Sequence, residues 1–232
     1  MNATPLDATE AAETIAESAA ALEKSRDRLL LATLPHVAFE GWSGAALRAG
    51  CTDAGLTDEQ GKLIFPEGAR EIIAHWSAWS DRQMLETIQL RPDFAALRVR
   101  ERIAAAVRAR IDVNGPWRET VRRTIALLAL PPNVGIGLSC TWRTLDAIWY
   151  ACGDSASDFS FYSKRATLAG VYGATVLYWL DDSSEESIDT WAFLDRRIDD
   201  VMRLPKLRSQ LRHAFSRMLP SLPQGGRSAA EH

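Results

Sequence analysis

The residue types that most often carry out chemistry are sparse in this chain and far apart. Four histidines occur, and no HxxxH or HxxE pair exists among them: His36, His75, His213 and His232. Glu71 and His75 form an ExxxH pair on one face of a predicted helix, but two ligands without further donors make a poor metal site. We therefore expect no bound metal.

The common catalytic and cofactor-binding motifs do not occur in the sequence either. There is no GxSxG motif, no P-loop and no complete GxGxxG pattern. A di-iron helical bundle would need repeated ExxH motifs, which are also missing. The sequence therefore predicts no catalytic residues and no cofactor, and a protein that is not an enzyme.

Composition and cysteine usage indicate an ordinary globular chain. Its 232 residues are 47% hydrophobic and 25% charged, enough for one large domain or two small ones. The net charge of −3 argues against non-specific binding of nucleic acid. The three cysteines lack CxxC spacing, so we predict buried thiols in a reducing compartment: Cys51, Cys140 and Cys152.

The N-terminal segment shows no targeting pattern. Acidic residues precede the first basic residue, Lys24, and they include Asp7, Glu10, Glu13 and Glu17. A transit peptide is typically rich in arginine and poor in acids, and a secretory signal has an apolar core behind a positive start. We therefore expect a cytosolic protein whose membrane contact, if it has one, is made at the surface.

Almost every segment repeats its apolar residues with a helical period, and no stretch alternates convincingly as a strand. A loose, partly helical lead-in is predicted over 1–24. Helices are predicted at about 25–37, 43–55, 57–65, 67–79, 81–90, 93–113, 117–130, 135–151, 158–180, 185–202 and 206–219. The predicted fold class is all-α, a bundle of about ten helices with a C-terminal amphipathic helix.

Two short helices around a glycine, preceded by a longer helix, are predicted in residues 25–65. With Phe39-Glu40-Gly41-Trp42 at the entry, this pattern resembles the helix-turn-helix of the TetR transcription-regulator family. Its second short helix would enter the major groove by an end that carries Asp58 and Glu59. Residues 1–65 hold five basic and ten acidic side chains. We expect a degenerate motif that binds no nucleic acid; the alternative is a TetR-type, ligand-sensing transcription regulator.

Residues 206–219 predict a helix with an apolar strip and a basic polar face. Its candidate membrane-binding residues are Leu207, Arg208, Leu211, Arg212, Phe215 and Met218. Such a helix typically lies in an anionic membrane interface, where each Lys or Arg contributes on the order of 1 kcal/mol. The open alternative is a terminal helix that packs on the body of the protein or on a second subunit.

Small residues recur at spacings of four in the helix predicted at 158–180: Ala166, Gly170 and Ala174, with Gly173 beside them. Such a stripe allows close packing of another helix, or it borders a channel for a long apolar ligand. Nearby aromatic residues would line that channel. The candidate lipid-binding residues are Trp142, Trp149, Ala166, Gly170, Tyr172, Gly173, Ala174 and Tyr178.

The runs DFxxYxKR, from Asp158, and DTWxFLxRRIDDVM, from Asp189, resemble the C-terminal signature of the coenzyme Q (ubiquinone) biosynthesis CoQ-nine family. The resemblance extends less strongly over about 25–205. It implies a TetR-like homodimer that binds an isoprenoid lipid or quinone precursor. It also implies delivery of this ligand, at the membrane surface, to the di-iron quinone hydroxylase of the pathway.

The resemblance also implies a partner-binding patch for that hydroxylase: Asp146, Ile148, Phe161, Tyr162 and Arg165. Compared with eukaryotic members, the absence of a transit sequence implies a bacterial cytoplasmic version, peripheral at the inner membrane. The predicted organisation is a flexible segment, a degenerate helix-turn-helix, a ligand-binding and dimerisation domain, a membrane-facing helix and a disordered tail. Their bounds are 1–24, 25–65, 66–204, 205–219 and 220–232.

Overall fold

The computed structural model describes residues 8–153 and 159–201, with side chains over 15–153 and 164–201. All regular structure in these ranges is helical, which confirms the all-α prediction. The predicted membrane-facing helix at 205–219 and the predicted tail at 220–232 lie outside the described residues.

Nine helices follow one another in the described ranges, joined by short loops and single 3₁₀ turns. They are α1 (Ala8–Glu40), α2 (Gly44–Asp53), α3 (Asp58–Ile64), α4 (Ala69–Gln89), α5 (Val99–Asp112), α6 (Arg118–Leu128), α7 (Val134–Ala151), α8 (Phe159–Asp181) and α9 (188–201). Helix α1 begins earlier than the firm helix predicted at 25, because the Ala- and Glu-rich lead-in has high helix propensity.

The helices α1, α2 and α3 form a tightly packed N-terminal module. Its core contains Leu29, Leu30, Leu34, Cys51 and Phe65, all at most 1% exposed. The predicted capping box opens α3: the Thr57 hydroxyl accepts from the Gln60 N–H at 3.2 Å, and the Gln60 side chain accepts from the Thr57 N–H at 2.9 Å. This geometry confirms the predicted start of the second short helix.

A second core joins α4, α5, α7, α8 and α9. Its fully buried residues recur at helical spacing along each element, and they include Met84, Val107, Leu145, Ile148 and Leu194. Helix α4 lies against both α5 and α7, and α7 lies against α8. Helix α6 bridges the two cores, because Val121 packs against both of them.

Two predicted helix boundaries are wrong, for local physical reasons. A break was expected near Ser80, but α4 continues through it, because the Ser80 hydroxyl donates back to the Trp76 carbonyl at 2.9 Å and stays within the helix. The single helix expected over 93–113 is instead a 3₁₀ turn at Phe94–Ala96 followed by α5. There Glu101 accepts from the Arg98 N–H at 2.9 Å and starts a new helix.

Asp182 fixes the corner between α8 and α9. Its carboxylate accepts hydrogen bonds from the Thr190 N–H at 2.9 Å and the Ser184 N–H at 2.8 Å. Burial works to raise the pKa of Asp182, but these hydrogen bonds and that from the Thr190 hydroxyl prevail and lower it well below its ordinary value. The carboxylate therefore stays ionised and caps the start of α9.

No single helix in the described ranges is long and apolar enough to cross a membrane. The segments Gly115–Leu128 and Pro131–Ala151 meet the length and composition criterion only as a pair, and they are bent by 102° where they join.

Candidate functional site

A cavity of about 320 Å³ lies among α4, α5, α6, α7 and α8. Its walls are mostly apolar, and they include Ile73, Trp76, Val121, Ile125, Leu128, Cys140, Val176 and Leu177. Leu177 is 57% exposed, so the cavity reaches the surface beside it. The volume lies at the lower end of the range for small-molecule sites, which are typically concave, apolar and furnished with a few polar groups.

Helical periodicity explains how α6 and α8 present residues to this cavity. On α6, Val121, Thr124, Ile125 and Leu128 follow one another at spacings of three, one and three, and therefore share a face. On α8, Gly173 lines the same space, and a Cβ placed on it would meet no atom within 4 Å. The missing side chain of this glycine thus leaves part of the cavity open.

The inner wall carries a buried ion pair. Arg110 of α5 donates from Nε to Asp81 Oδ1 of α4 at 2.8 Å, and both side chains are more than nine-tenths buried. Thr144 of α7 donates to the same carboxylate oxygen at 2.8 Å. Burial works to lower the pKa of Arg110, but neighbouring Tyr172 and Asp81 hold it above its ordinary value. The guanidinium is therefore charged, and it is the one charged group among the cavity-lining residues.

The sequence indicates this ion pair by charged residues at buried positions of helical stripes, although the pair belongs to no common motif. Ile103, Val107 and Arg110 lie at helical spacing on one face of α5, so the apolar residues place the arginine on the buried side. Asp81 likewise lies at helical spacing from buried Ile73 and Met84, on the buried face of α4. A charged residue at a predicted core position is uncommon unless it is paired.

The predicted lipid-binding residues divide into two groups in the structure. Tyr172 and Gly173 line the cavity. Ala166 and Gly170 are exposed, and Ala174 is half-buried; none of the three is among the cavity-lining residues. The small-residue stripe therefore does not border this cavity, because four-residue spacing keeps it on a face of α8 that turns away from the cavity. Lipid contact by these residues in another way stays a prediction.

The three other aromatic residues of the predicted lipid site also lie outside the cavity lining. Trp142 is 40% exposed on α7, and Tyr178 is 38% exposed and stacks on Phe193 with ring centroids 4.5 Å apart. Trp149 packs against the second core, with the Lys164 ammonium 5.6 Å from its ring centroid. The structure thus brings only Tyr172 and Gly173, of the eight predicted residues, to the cavity.

The predicted partner-binding patch is only partly at the surface. Asp146 is about half exposed and pairs with buried Arg165, whose Nε donates to it at 2.9 Å. Ile148 is 0% exposed within the second core, so the structure does not place it at the protein surface, in contrast to the prediction. The side chains of Phe161 and Tyr162 lie outside the described ones, as do all six predicted membrane-binding residues.

Among the described residues, Glu23, Asp27 and His75 bring possible metal-ligand atoms within 4.8 Å of one another. Arg82 already donates to Glu23 at 2.8 Å and to Asp27 at 2.8 Å, and His75 Nε2 lies 2.7 Å from Asp27 Oδ1. Because Arg82 already donates to both carboxylates, we interpret this cluster as an ion network that ties α1 to α4. Glu71, the other half of the predicted ExxxH pair, instead pairs with Arg26.

The possible DNA-reading helix, α3, carries acidic residues where it would meet a phosphate backbone. Asp58 and Glu59 occupy its first turn, and Lys62 is its one basic residue. A helix N-terminus already provides a partial positive charge, which these carboxylates complement. Their position supports a structural use of the helix start over contact with nucleic acid.

The three cysteines are buried and form no disulfide with one another, as the sequence predicts. Cys140 lines the cavity, whereas Cys51 packs in the N-terminal module against Gly61. Burial and the nearby charge of Asp58 raise the pKa of the Cys51 thiol, so it stays protonated and unreactive.

Comparisons with known proteins point to one family. The family model described as COQ9 matches residues 134–205. The chain is 29% identical over 206 residues to the rat ubiquinone biosynthesis protein COQ9, covering 86% of this chain and 66% of the relative. It is 30% identical over 195 residues to COQ9-B of Xenopus laevis, covering 82% and 66%, and 28% identical to human COQ9, covering 86% and 64%. The chain thus spans just under two thirds of the length of these relatives.

A solved structure agrees with the fold. The chain resembles a TetR transcriptional regulator from Nitrosomonas europaea with a TM-score of 0.62 and 20% identity, covering 76% of this chain and 97% of the regulator. At this identity the likeness concerns the fold alone, and it confirms the predicted TetR-like architecture.

The comparisons also correct one expectation. The rat, Xenopus and human relatives are all named as mitochondrial proteins, which contradicts the predicted bacterial cytoplasmic location. That prediction rested on the acidic composition of the N-terminal segment, and the charge of one segment does not determine the compartment in which a chain works.

Proposed function

Since the chain belongs to the COQ9 family of ubiquinone biosynthesis proteins, we propose that it acts in that pathway as a lipid-binding accessory protein and catalyses no reaction itself. The observation that carries this proposal is the apolar cavity among α4–α8. An empty cavity of this size lacks the packing contacts that stabilise a filled core. Binding of an apolar ligand replaces those contacts.

The proposed ligand is an isoprenoid quinone intermediate. Its ring and the first part of its tail suit a cavity of about 320 Å³, and the rest of a long tail would leave past exposed Leu177. The tail would then lie over the protein surface or in a membrane interface. We further propose that the protein presents the quinone ring to a di-iron hydroxylase at the membrane. The predicted helix at 205–219 would make the membrane contact.

The contact with the hydroxylase would involve the start of α8. The ion pair between Asp146 and Arg165 supports this assignment, because it anchors α8 to α7 next to Phe161 and Tyr162. Exposed Asp146 would lie at the edge of that contact, whereas Ile148 would support it from the core.

We also propose a homodimer. Val134, Leu138 and Trp142 are 40–67% exposed at spacings of four along α7, which gives that helix an apolar outer stripe. Large exposed apolar patches are uncommon on monomers and often mark protein contacts. Sedimentation equilibrium of the purified chain would measure its oligomeric state, and a monomer at all concentrations would contradict this part.

Lipid extraction from the natively purified chain, followed by mass spectrometry, tests the proposed ligand. We expect an isoprenoid quinone or precursor in near-stoichiometric amount. The variant Val176→Trp should fill the cavity and lose most of this lipid. Thr167→Trp, an exposed change on the same helix, is the matched control and should keep it. An extract without isoprenoids from the unaltered chain would contradict the proposal.

A further inference from the structure

Two buried hydrogen-bond donors of cavity-lining residues, Arg110 Nη1 and Trp76 Nε1, have no partner among the described residues, and of the two only Arg110 is charged. Arg110 lines the inner wall with its side chain only 6% exposed, and its Nη1 has no hydrogen-bond partner among the described residues. A buried polar group left unsatisfied typically costs about 1–3 kcal/mol, and a charged one more. Such a donor inside an apolar cavity indicates a place for an acceptor atom of a ligand.

Neighbouring residues hold the guanidinium in place. Asp81 Oδ1 accepts hydrogen bonds from Arg110 Nε at 2.8 Å and from the Thr144 hydroxyl at 2.8 Å. Its other oxygen, Oδ2, lies 3.5 Å from Arg143 Nε. The carboxylate of α4 is therefore held by residues of α5 and α7, and it holds Arg110 in turn. Because the guanidinium is planar, fixing Nε also sets the direction in which Nη1 points.

Three of the hydroxyl groups that line the cavity already donate to protein atoms. Ser80 donates to the Trp76 carbonyl at 2.9 Å, Thr124 donates to the Thr120 carbonyl at 2.7 Å, and Thr144 donates to Asp81. Their protons therefore serve the protein itself. Arg110 Nη1 is the charged donor that remains available to a ligand, and the Trp76 indole N–H is the neutral one.

The charge balance decides which acceptor fits. Arg110 shares Asp81 with Arg143, but Arg143 is 46% exposed and its charge is screened by solvent. Within the cavity wall the Arg110–Asp81 pair is neutral, so a buried anion would add negative charge to an apolar space, which is strongly unfavourable. A neutral carbonyl oxygen accepts the N–H without that penalty. The remaining walls, with Val121, Ile125 and Val176, contact hydrocarbon.

We propose that Arg110 binds the ring carbonyl of a neutral quinone-like ligand at the inner end of the cavity, with the hydrocarbon tail directed towards Leu177. This inference rests on the proposed lipid-binding function and adds to it an orientation and a residue that determines specificity. A cavity without this donor would favour hydrocarbon over quinone, because the carbonyl would lose its hydrogen bonds to water.

Two small probes of one shape test the proposal by native mass spectrometry of the full chain. The first is hexyl-trimethyl-1,4-benzoquinone, whose fully substituted ring leaves no position for addition of the Cys140 thiol. The second is hexyl-trimethylbenzene, which lacks only the carbonyls. We expect the quinone to bind about tenfold more tightly, which corresponds to about 1.4 kcal/mol and is the scale of one hydrogen bond from a charged donor.

The double variant Asp81→Asn/Arg110→Met removes both charges together and leaves no buried ion unpaired. It should bind the hydrocarbon as before and lose the preference for the quinone. Arg110→Lys keeps the charge but loses the planar fork, so it should lose the preference for the quinone too. This variant tests the proposal if the double variant fails to fold. Arg108→Met, a half-exposed arginine on the same helix, is the control and should keep it.

The outcomes separate the two proposals. Equal binding of both probes to the unaltered chain and to the Arg110 variants would overturn the role of Arg110 and leave lipid binding standing, with water then satisfying Nη1. Failure of the unaltered chain to bind either probe would overturn both the orientation and the proposed function.

Discussion

The two cores of this protein use glycine in opposite ways. In the N-terminal module, a Cβ on Gly50 of α2 would collide with Thr33 of α1, including its backbone Cα at 2.8 Å. In the C-terminal part, a Cβ on Gly170 or Gly173 of α8 would meet no atom within 4 Å. The same residue type therefore permits close helix contact in one region and leaves space in the other.

The contrast indicates different demands on the two regions. The front module is packed as closely as its helices allow, although its surface lacks the charge that DNA contact would need. The rear part retains a cavity that a filled core would not have. The fold shared with a TetR regulator thus combines a closely packed front module with a rear part that contains a cavity.

Gly50→Ala is the change with the largest expected effect. Overpacking typically costs about 1–3 kcal/mol, more than the roughly 1 kcal/mol that alanine adds to a helix, and here a backbone atom must move. We expect a clear loss of stability in urea unfolding followed by circular dichroism. Unchanged stability would show that α1 and α2 can separate easily, and would break the contrast between the two regions.

Asp182→Asn should have an intermediate effect. The amide NH2 of asparagine cannot accept, so one of the two carboxylate oxygens that hold the start of α9 is lost, which should cost about 0.5–1.5 kcal/mol near neutral pH. Because the folded pKa of Asp182 is lowered, its contribution is complete above the unfolded pKa of about 3.9 and disappears as the pH falls through the folded value.

Unfolding of this variant and of the unaltered chain should therefore be compared at about pH 7 and about pH 3, where the difference should be smaller. Asp181→Asn, an exposed neighbour that pairs with Arg122, is the control, with an expected change of about 0.5 kcal/mol or less. A difference that does not vary with pH would exclude the carboxylate charge as the cause.

Gly170→Ala should have the smallest effect, and its sign should be opposite. The position is exposed and open, so alanine should stabilise α8 by about 0.5–1 kcal/mol. Thermal unfolding would measure a small rise in Tm. A fall in Tm would show that another helix or a second subunit packs closely on this face, and would weaken the contrast, because Gly170 would then be packed as Gly50 is.

The helical class, the capping box at Thr57 and the stripes along α6 and α8 could be predicted from the sequence. All three follow from short-range rules, because the period of a helix and the hydrogen bonds of its first turn involve residues only three or four positions apart. The family resemblance was likewise contained in short runs of residues near Asp158 and Asp189.

Other features were decided by tertiary structure alone. The pairing of Asp81 with Arg110 joins residues 29 positions apart, and the cavity needs five helices to enclose it. Ile148 is buried and Gly170 exposed because of which helices pack against α7 and α8. Periodicity defines a face of each helix, but only the assembled helices determine whether that face meets solvent, a neighbour or an open space, because burial depends on all the surrounding elements at once.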